Sequence, residues 1–356
     1  MNLKNNVMFI GVGNCGCKNA KIQADNGYPA MFVNGSEQDL KLLGNVKNIY
    51  KLKGFDGFGG RREKALECLQ QNMELLEALQ QIEQKIVFIL YGAGGSTGAG
   101  LSTYILEQLL EDVDDESRPT KIVCPVPFLP ALNEPIGKHR NAYQSAKELQ
   151  DINGLGATFF INNSAGNANS NSDLKWINNT FSKLLDSFLT DESVGELNNF
   201  DTSERLEMLR DPGAMILSLT GRDKQEMLID KLIKTGIFAP IENDKKCGLV
   251  GIIHAAENDV NTDAIVSEVG KPLNIFEGYG GKNTLVAVSG LTYPIGHITK
   301  LGQLAKQGIE ERRRSQQSSV KKLSDLDLEE DMPVIKHEPA KKPSKLELLK
   351  QIKAAK

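Results

Sequence analysis

The sequence predicts an α/β protein with a mostly parallel, Rossmann-like sheet in its first domain, a long central helix and a smaller second α/β unit. Three observations carry that expectation. Short apolar runs alternate with helical patterns over the first 165 residues. Two of those runs end in glycine-rich loops, "GVGNCG" at 11–16 and "GAGGSTGAG" at 92–100. Finally, "DLKWINNTFSKLLDSFL" sets Leu174, Ile177, Phe181, Leu184 and Phe188 at alternating three- and four-residue steps, a continuous apolar stripe along one helix.

In order along the chain, "VMFIGVG" reads as a strand ending in glycine, and "NAKIQADNG" as a helix stopped by Gly27. "PAMFVNGSEQDL" and "NIYKL" give two more strands, and the breaker-free "REKALECLQQNMELLEALQQI" one helix. "KIVFILY" is a buried-strand run, "STYILEQLLEDV" is helical, and "TKIVCPVPF" and "ATFFIN" are strands. Beyond the central helix, "AMILSLTG", "GLVGIIHAA" and "NTLVAVSGL" are strand-like, separated by the helical "KQEMLIDKLIKTG" and "NDVNTDAIVSEVG". A polar helix runs outward from His297, and the Pro/Lys-rich stretch beyond Ser324 reads as disordered before a short helix capped by Ser344. The expected division is 1–170, a central helix at 171–190, a second domain at 191–300, and an extended helix with a flexible basic tail at 301–356.

Composition narrows the function classes. No apolar run is long enough to cross a bilayer and the N-terminus lacks a signal-peptide pattern, so a cytoplasmic protein with no membrane partner is expected. Five cysteines without a C-x-x-C pair suggest neither a disulfide framework nor a zinc ribbon, and the four histidines have no metal-ligand spacing. The net charge of −4 is unevenly spread: from 301 to 356 thirteen Lys and Arg face nine Asp and Glu, leaving −8 on residues 1–300. An acidic body with a basic tail suits a partner-binding extension.

The glycine loops carry the chemistry. Gly11–Gly16 fits G-x-G-x-x-G between a strand and a helix, where backbone N–H groups at the helix N-terminus receive phosphate oxygens. A dinucleotide site needs an acidic residue at the end of the second strand for the ribose hydroxyls, and Asn34 stands there instead. A Walker A loop needs Lys directly after its last glycine, and Cys17 intervenes before Lys18. Two phosphate-cradling loops on neighbouring strand ends suit a nucleoside triphosphate better than either.

These residues resemble the tubulin/FtsZ superfamily of GTP-dependent filament proteins. "GAGGSTGAG" is similar to the family's G-G-G-T-G-[ST]-G signature, departing from it at Ser96 and Ala99. "GVGNCGCKNA" resembles its first phosphate loop, "NGSEQDL" its asparagine-containing second loop, and "GFDGFGGRRE" its third, γ-phosphate-sensing loop. "GKHRNAYQSAKEL" is similar to the G-K-K-R stretch, which puts Arg140 at the family's arginine. The family's acidic residue falls on Ile136, so its role is vacant or taken by Glu134, and the aromatic that stacks on guanine falls near Leu174. The resemblance implies GTP/GDP and Mg²⁺ as ligands. For nucleotide contact it implies Gly13, Asn14, Cys15, Asn19, Asn34, Gly92, Gly94, Gly95, Ser96, Thr97, Gly98, Glu134 and Arg140. Asn163 and Asn178 fall where guanine is read, and an Asn amide offers that base both a donor and an acceptor.

"NNFDTSERLEM" holds Asn199, Asp201 and Glu204, similar to the family's N-x-D-x-x-[DE] loop, which enters the next subunit's nucleotide pocket and aligns the attacking water. Asp201 and Glu204 also fit a helix capping box, and both roles can hold together. The extended polar helix and lysine-rich end look most like the plasmid- and phage-encoded segregation branch of the superfamily. That implies head-to-tail filaments of the chain itself, carrying DNA cargo indirectly through a DNA-binding adaptor held by the C-terminal tail. Bacterial cell division is the nearest alternative function. An NAD(P)-dependent oxidoreductase is the reading from a different class, opposed by Asn34 and the second glycine loop.

Overall fold

The computed structural model describes residues 3–167, 170–193, 199–221, 224–255 and 260–320, with Lys350 and Ala354. The expectations for the tail beyond Ser324 therefore lie almost wholly outside the described residues. The first half runs β1 (Val7–Val12), α1 (Gly13–Asp25), β2 (Ala30–Asn34), α2 (Glu37–Lys41), β3 (Ile49–Lys51), α3 (Ala65–Gln70) and α4 (Met73–Gln80). It continues through β4 (Ile86–Gly92), α5 (Ser96–Leu110), β5 (Ile122–Leu129), α6 (Ile136–Gln150), β6 (Ala157–Thr158) and β7 (Ile161–Asn162). After α7 (Asn171–Thr190) come α8 (Thr202–Arg210), β8 (Gly213–Thr220), α9 (Leu228–Ile233), β9 (Leu249–His254), α10 (Thr262–Val269), β10 (Asn274–Tyr279), β11 (Thr284–Leu291) and α11 (Ile295–Val320).

The first sheet has six strands, all parallel, in the order β3-β2-β1-β4-β5-β7. From β1 the chain winds outward through β2 to β3, then returns to place β4 on the other side of β1. That reversal opens a crevice at the carboxyl ends of β1 and β4, where open α/β sheets bind ligands. The second sheet, β10-β9-β11-β8-β6, is mixed: β11 runs antiparallel to both β9 and β8. Its edge strand β10 and the helix α6 were not among the elements read from the sequence.

Three expectations are corrected. "ATFFIN" is not one strand: Ala157–Thr158 pairs with β8 and Ile161–Asn162 with β5, so the segment belongs to both sheets. The buried phenylalanines between them part company, Phe159 packing on Phe88 and Phe181 while Phe160 meets Tyr293. The helix expected over 62–82 breaks at Asn72. There the side-chain amide donates to Lys53 O and Cys68 O (3.1 and 2.8 Å) and accepts the Lys53 N–H (2.7 Å), a local bonding pattern that competes with helix continuation. Finally, α1 and α5 begin at Gly13 and Ser96, inside the glycine loops rather than after them.

The apolar stripe of α7 explains its central place. Ile177, Phe181, Leu184 and Phe188 are all buried, and the Phe181 ring lies 6.0 Å from those of both Phe128 and Phe159. Its flank is tied to the first sheet by Asn26 Nδ2 donating to Ser182 Oγ (2.9 Å) and Tyr28 OH donating to Asp186 (2.7 Å). Leu174, at the start of the stripe, is left exposed. Truncating Phe181 to Ala removes a wholly buried ring where three segments meet, and is expected to cost about 3–5 kcal/mol. Urea denaturation checks this; a loss under about 1 kcal/mol would contradict that packing role.

Candidate functional site

A cleft of about 860 Å³ opens at the strand-order reversal. Its floor is the first turn of two helices. The residues preceding them, Val12 and Gly95, offer no side-chain acceptor to their first N–H groups, whereas α7 and α8 both start with complete capping boxes. Unsatisfied N–H groups and the positive helix ends therefore face the cleft, an arrangement that attracts anions. Gly16 permits the geometry: a Cβ there would stand 2.0 Å from Leu90 O, so α1 lies directly on β4.

Gly13, Asn14, Cys15, Asn34, Gly92, Gly94, Gly95, Ser96, Thr97, Gly98, Glu134, Asn163 and Asn178 all line this one cleft, as does Leu174. Asn34 is buried and organises the second loop, donating to Asp39 Oδ2 (3.3 Å) and accepting the Ser36 N–H (3.3 Å). Glu134 accepts the Ala131 N–H (3.0 Å) and pairs with Lys138. Asn178 and not its neighbour Asn179 meets the cleft. Two expected residues are not in the lining. Asn19 is buried one turn behind it, donating to Cys15 O (3.0 Å), so it supports the loop from below. Arg140 is exposed on α6: two residues along a helix is about 200° of rotation, so when Lys138 faces the cleft Arg140 cannot.

Sequence reasoning missed Lys18, Lys138 and Lys175, the cations among the lining residues, and the carboxylates Asp39 and Asp56. The signal for Lys18 was its four-residue step from Asn14 along α1, which puts both on one helix face. Lys138 lies within "GKHRNAYQSAKEL", two residues before Arg140.

Asn199, Asp201 and Glu204 do not line this cleft. They sit beyond the other end of α7, where a second cleft of about 500 Å³ is lined by Thr190, Asp191, Asn199, Asp201 and Arg205. From Asn178 to Thr190 the helix advances roughly 18 Å at its rise of about 1.5 Å per residue. Asp201 accepts the Glu204 N–H (3.0 Å) and Glu204 accepts the Asp201 N–H (2.9 Å), so the capping box is formed. Partial burial pushes the Glu204 carboxyl up from its ordinary value. Beneath them the buried Arg205 donates to the carbonyls of Phe188, Asp191 and Phe200, fastening this loop to the carboxyl end of α7, where a cation is electrostatically favoured.

With this geometry in place, known proteins offer a comparison. No protein-family model matches the chain. The tubulin-like protein TubZ of Clostridium botulinum C phage is 25% identical over 354 residues, covering 94% of this chain and 93% of TubZ. The crystal structure of Clostridium botulinum phage c-st TubZ superposes with a TM-score of 0.72 at 20% identity, covering 86% of this chain and 99% of that one. Over nearly its whole length the chain is similar to TubZ, a tubulin-like protein, and it shares that protein's fold. A GTPγS-form protofilament of Bacillus thuringiensis serovar israelensis TubZ shares the fold, with a TM-score of 0.69 at 17% identity, covering 88% of this chain and 94% of that one. No helix among the described residues is long and apolar enough to cross a membrane.

Burial pushes the thiols of Cys15, Cys17 and Cys68 up from 9.0 to about 12, and that of Cys247 to about 11. Between those limits the unfolded chain gives up protons that the folded one keeps, so folding is progressively disfavoured as pH rises. Thermal stability is expected to hold up to pH 9 and to decline from there towards pH 11. A melting temperature that stays flat over that interval would contradict the burial of these thiols.

Proposed function

We propose that the chain is a GTP-hydrolysing filament protein whose subunits stack head to tail, each nucleotide site being completed by the next subunit. The observation that carries this is the placement of two half-sites at opposite ends of one rigid helix: the anion-attracting cleft at one, and the Asn199, Asp201 and Glu204 loop at the other. A heterologous contact between such unlike ends repeats into a filament instead of closing. Relatives of the same fold form protofilaments with GTPγS, as the Bacillus thuringiensis TubZ structure states of that protein.

In this reading the triphosphate rests on the N–H groups at the starts of α1 and α5, with Lys18 and Lys138 offsetting its charge, and Asn163 and Asn178 read the guanine edge. Mg²⁺ fits as a phosphate-bound ion: Asp56, Ser96 and Thr97 supply hard oxygen donors, and no cluster of three metal-ligating side chains occurs among the described residues. Such an ion keeps most of its waters and neutralises phosphate charge. The carboxylates of Asp201 and Glu204 from the neighbouring subunit align and polarise the attacking water, so hydrolysis waits for assembly. Partial burial raises the Glu204 pKa, which makes its carboxylate a better proton acceptor than a fully solvated one.

The capping box means that alanine would confuse catalysis with helix stability. Asp201→Asn and Glu204→Gln keep cap-competent side chains and remove the carboxylates. Each is expected to lower GTP turnover on the order of 100-fold or more while filaments assemble and persist. Phosphate release measured beside light scattering checks this, and a wild-type rate in either variant rules that residue out as catalytic.

The cargo reading follows from the likeness to TubZ and the charge of the tail. The lysine-rich end binds a DNA-bound adaptor protein, so that DNA segregates with the filament. Removing 325–356 is expected to leave polymerisation intact and abolish co-sedimentation of the adaptor with filaments. Undiminished adaptor binding by the truncated chain would refute the tail's role.

A further inference from the structure

The loop 54–61 contributes Asp56, Gly57, Phe58 and Gly59 to the cleft and reaches it beside the α5 N-terminus. Its carboxyl-side hinge, Gly59 and Gly60, has φ of +57° and +81°, a conformation available to glycine at little cost. Gly60 is held from both sides: its N–H donates to Ser96 Oγ (3.2 Å), and its carbonyl accepts from Asn141 Nδ2 (3.4 Å). The same Asn141 amide donates to Gly94 O (3.2 Å), in the other glycine loop. These two carbonyls fix which way the amide points, because the flipped amide would set oxygen against oxygen.

Asn141 is only 2% exposed, yet its Oδ1 is buried with no hydrogen-bond partner. A buried acceptor left empty costs more than one hydrogen bond contributes, so the residue is ill suited to structure alone. Just past the hinge the chain is immobilised. Arg62 donates to both carboxylate oxygens of Glu148 and to Ala99 O (2.8 Å), and its own carbonyl would lie 2.7 Å from a Cβ on Gly100. Gly100, the last glycine of "GAGGSTGAG", thus serves this crossing.

We propose that Asn141 is a positioning residue for nucleotide discrimination: it latches the 56–60 loop to the α5 phosphate loop across the outer end of the phosphate chain. Asp56 and Gly59 are exposed and line the cleft, so the loop that Asn141 holds lies where the outermost phosphate of a bound nucleotide would come. This rests on the guanine-nucleotide reading above. The latch is formed without nucleotide; a third phosphate meets the loop that it holds, and a diphosphate does not reach it.

The test compares the full-length wild type with Asn141→Ala and Asn141→Leu, the latter keeping volume while removing both hydrogen bonds. Without nucleotide, hydrogen exchange at 57–61 is expected to be about tenfold faster in both variants, while the interior of β4 is unchanged. GTPγS affinity is expected to fall about tenfold and GDP affinity to move less than twofold. Unchanged exchange at 57–61, equal weakening of both nucleotides, or wild-type behaviour in Asn141→Leu would each overturn the latch. Should Asn141→Ala not fold, Ser96→Ala releases Gly60 from its other side and is expected to show the same faster exchange. A wild type that binds neither nucleotide would overturn the proposed function, and the exchange measurement still decides whether the loop is latched.

Discussion

Two helices start where β1 and β4 end, and neither has a side chain to satisfy its first N–H groups. Everything around the cleft follows from that constraint. The strand order puts these helix ends side by side, and residues with little or no side chain let them approach the sheet. A helix start cannot be closed off from water without a partner, so this face stays open until an anion arrives. Lysines 18, 138 and 175 gather round it for the same electrostatic reason, and Asp56 sits at its mouth.

Rigid elements then distribute that local chemistry. The stripe of α7 is locked among the phenylalanines between the two sheets, so its two ends keep a fixed separation. One end presents Asn178 to the cleft; the other anchors the Asp201 loop through the buried Arg205. In the proposed filament a single subunit would therefore carry both halves of a site that it cannot close on itself. Helix α6 plays a comparable part nearer the cleft, carrying Lys138, Asn141 and Glu148 on one body and packing along α11.

The sheet, the central helix and the glycine loops of the cleft were legible because they rest on local signals, while Asn34, Glu134, Asn163 and Asn178 came only from the family resemblance. Apolar runs, glycine clusters and a three- to four-residue stripe are written in consecutive residues. What escaped depended on contacts distant in sequence. Asn72 breaks its helix through Lys53, a partner nineteen residues away. "ATFFIN" divides because β5 and β8 compete for its two halves, which no window of sequence displays. Arg140 matches a family motif in sequence, whereas in the structure Lys138 of the same helix lines the cleft and Arg140 is exposed outside it. Asn141, next in the chain, is illegible in sequence, since a buried amide bridging two loops has no local signature.

In the proposed filament one chain supplies the cleft and the next supplies the carboxylates. Mixing two inactive variants tests it most directly: Asp201→Asn, with an intact cleft, and Asn178→Ala, with an intact carboxylate loop. Each alone is expected to turn over little GTP. Random co-assembly in equal amounts places a good cleft against a good loop at about one quarter of contacts, so turnover should return to about a quarter of the wild-type rate. A mixture no more active than its components would contradict the account.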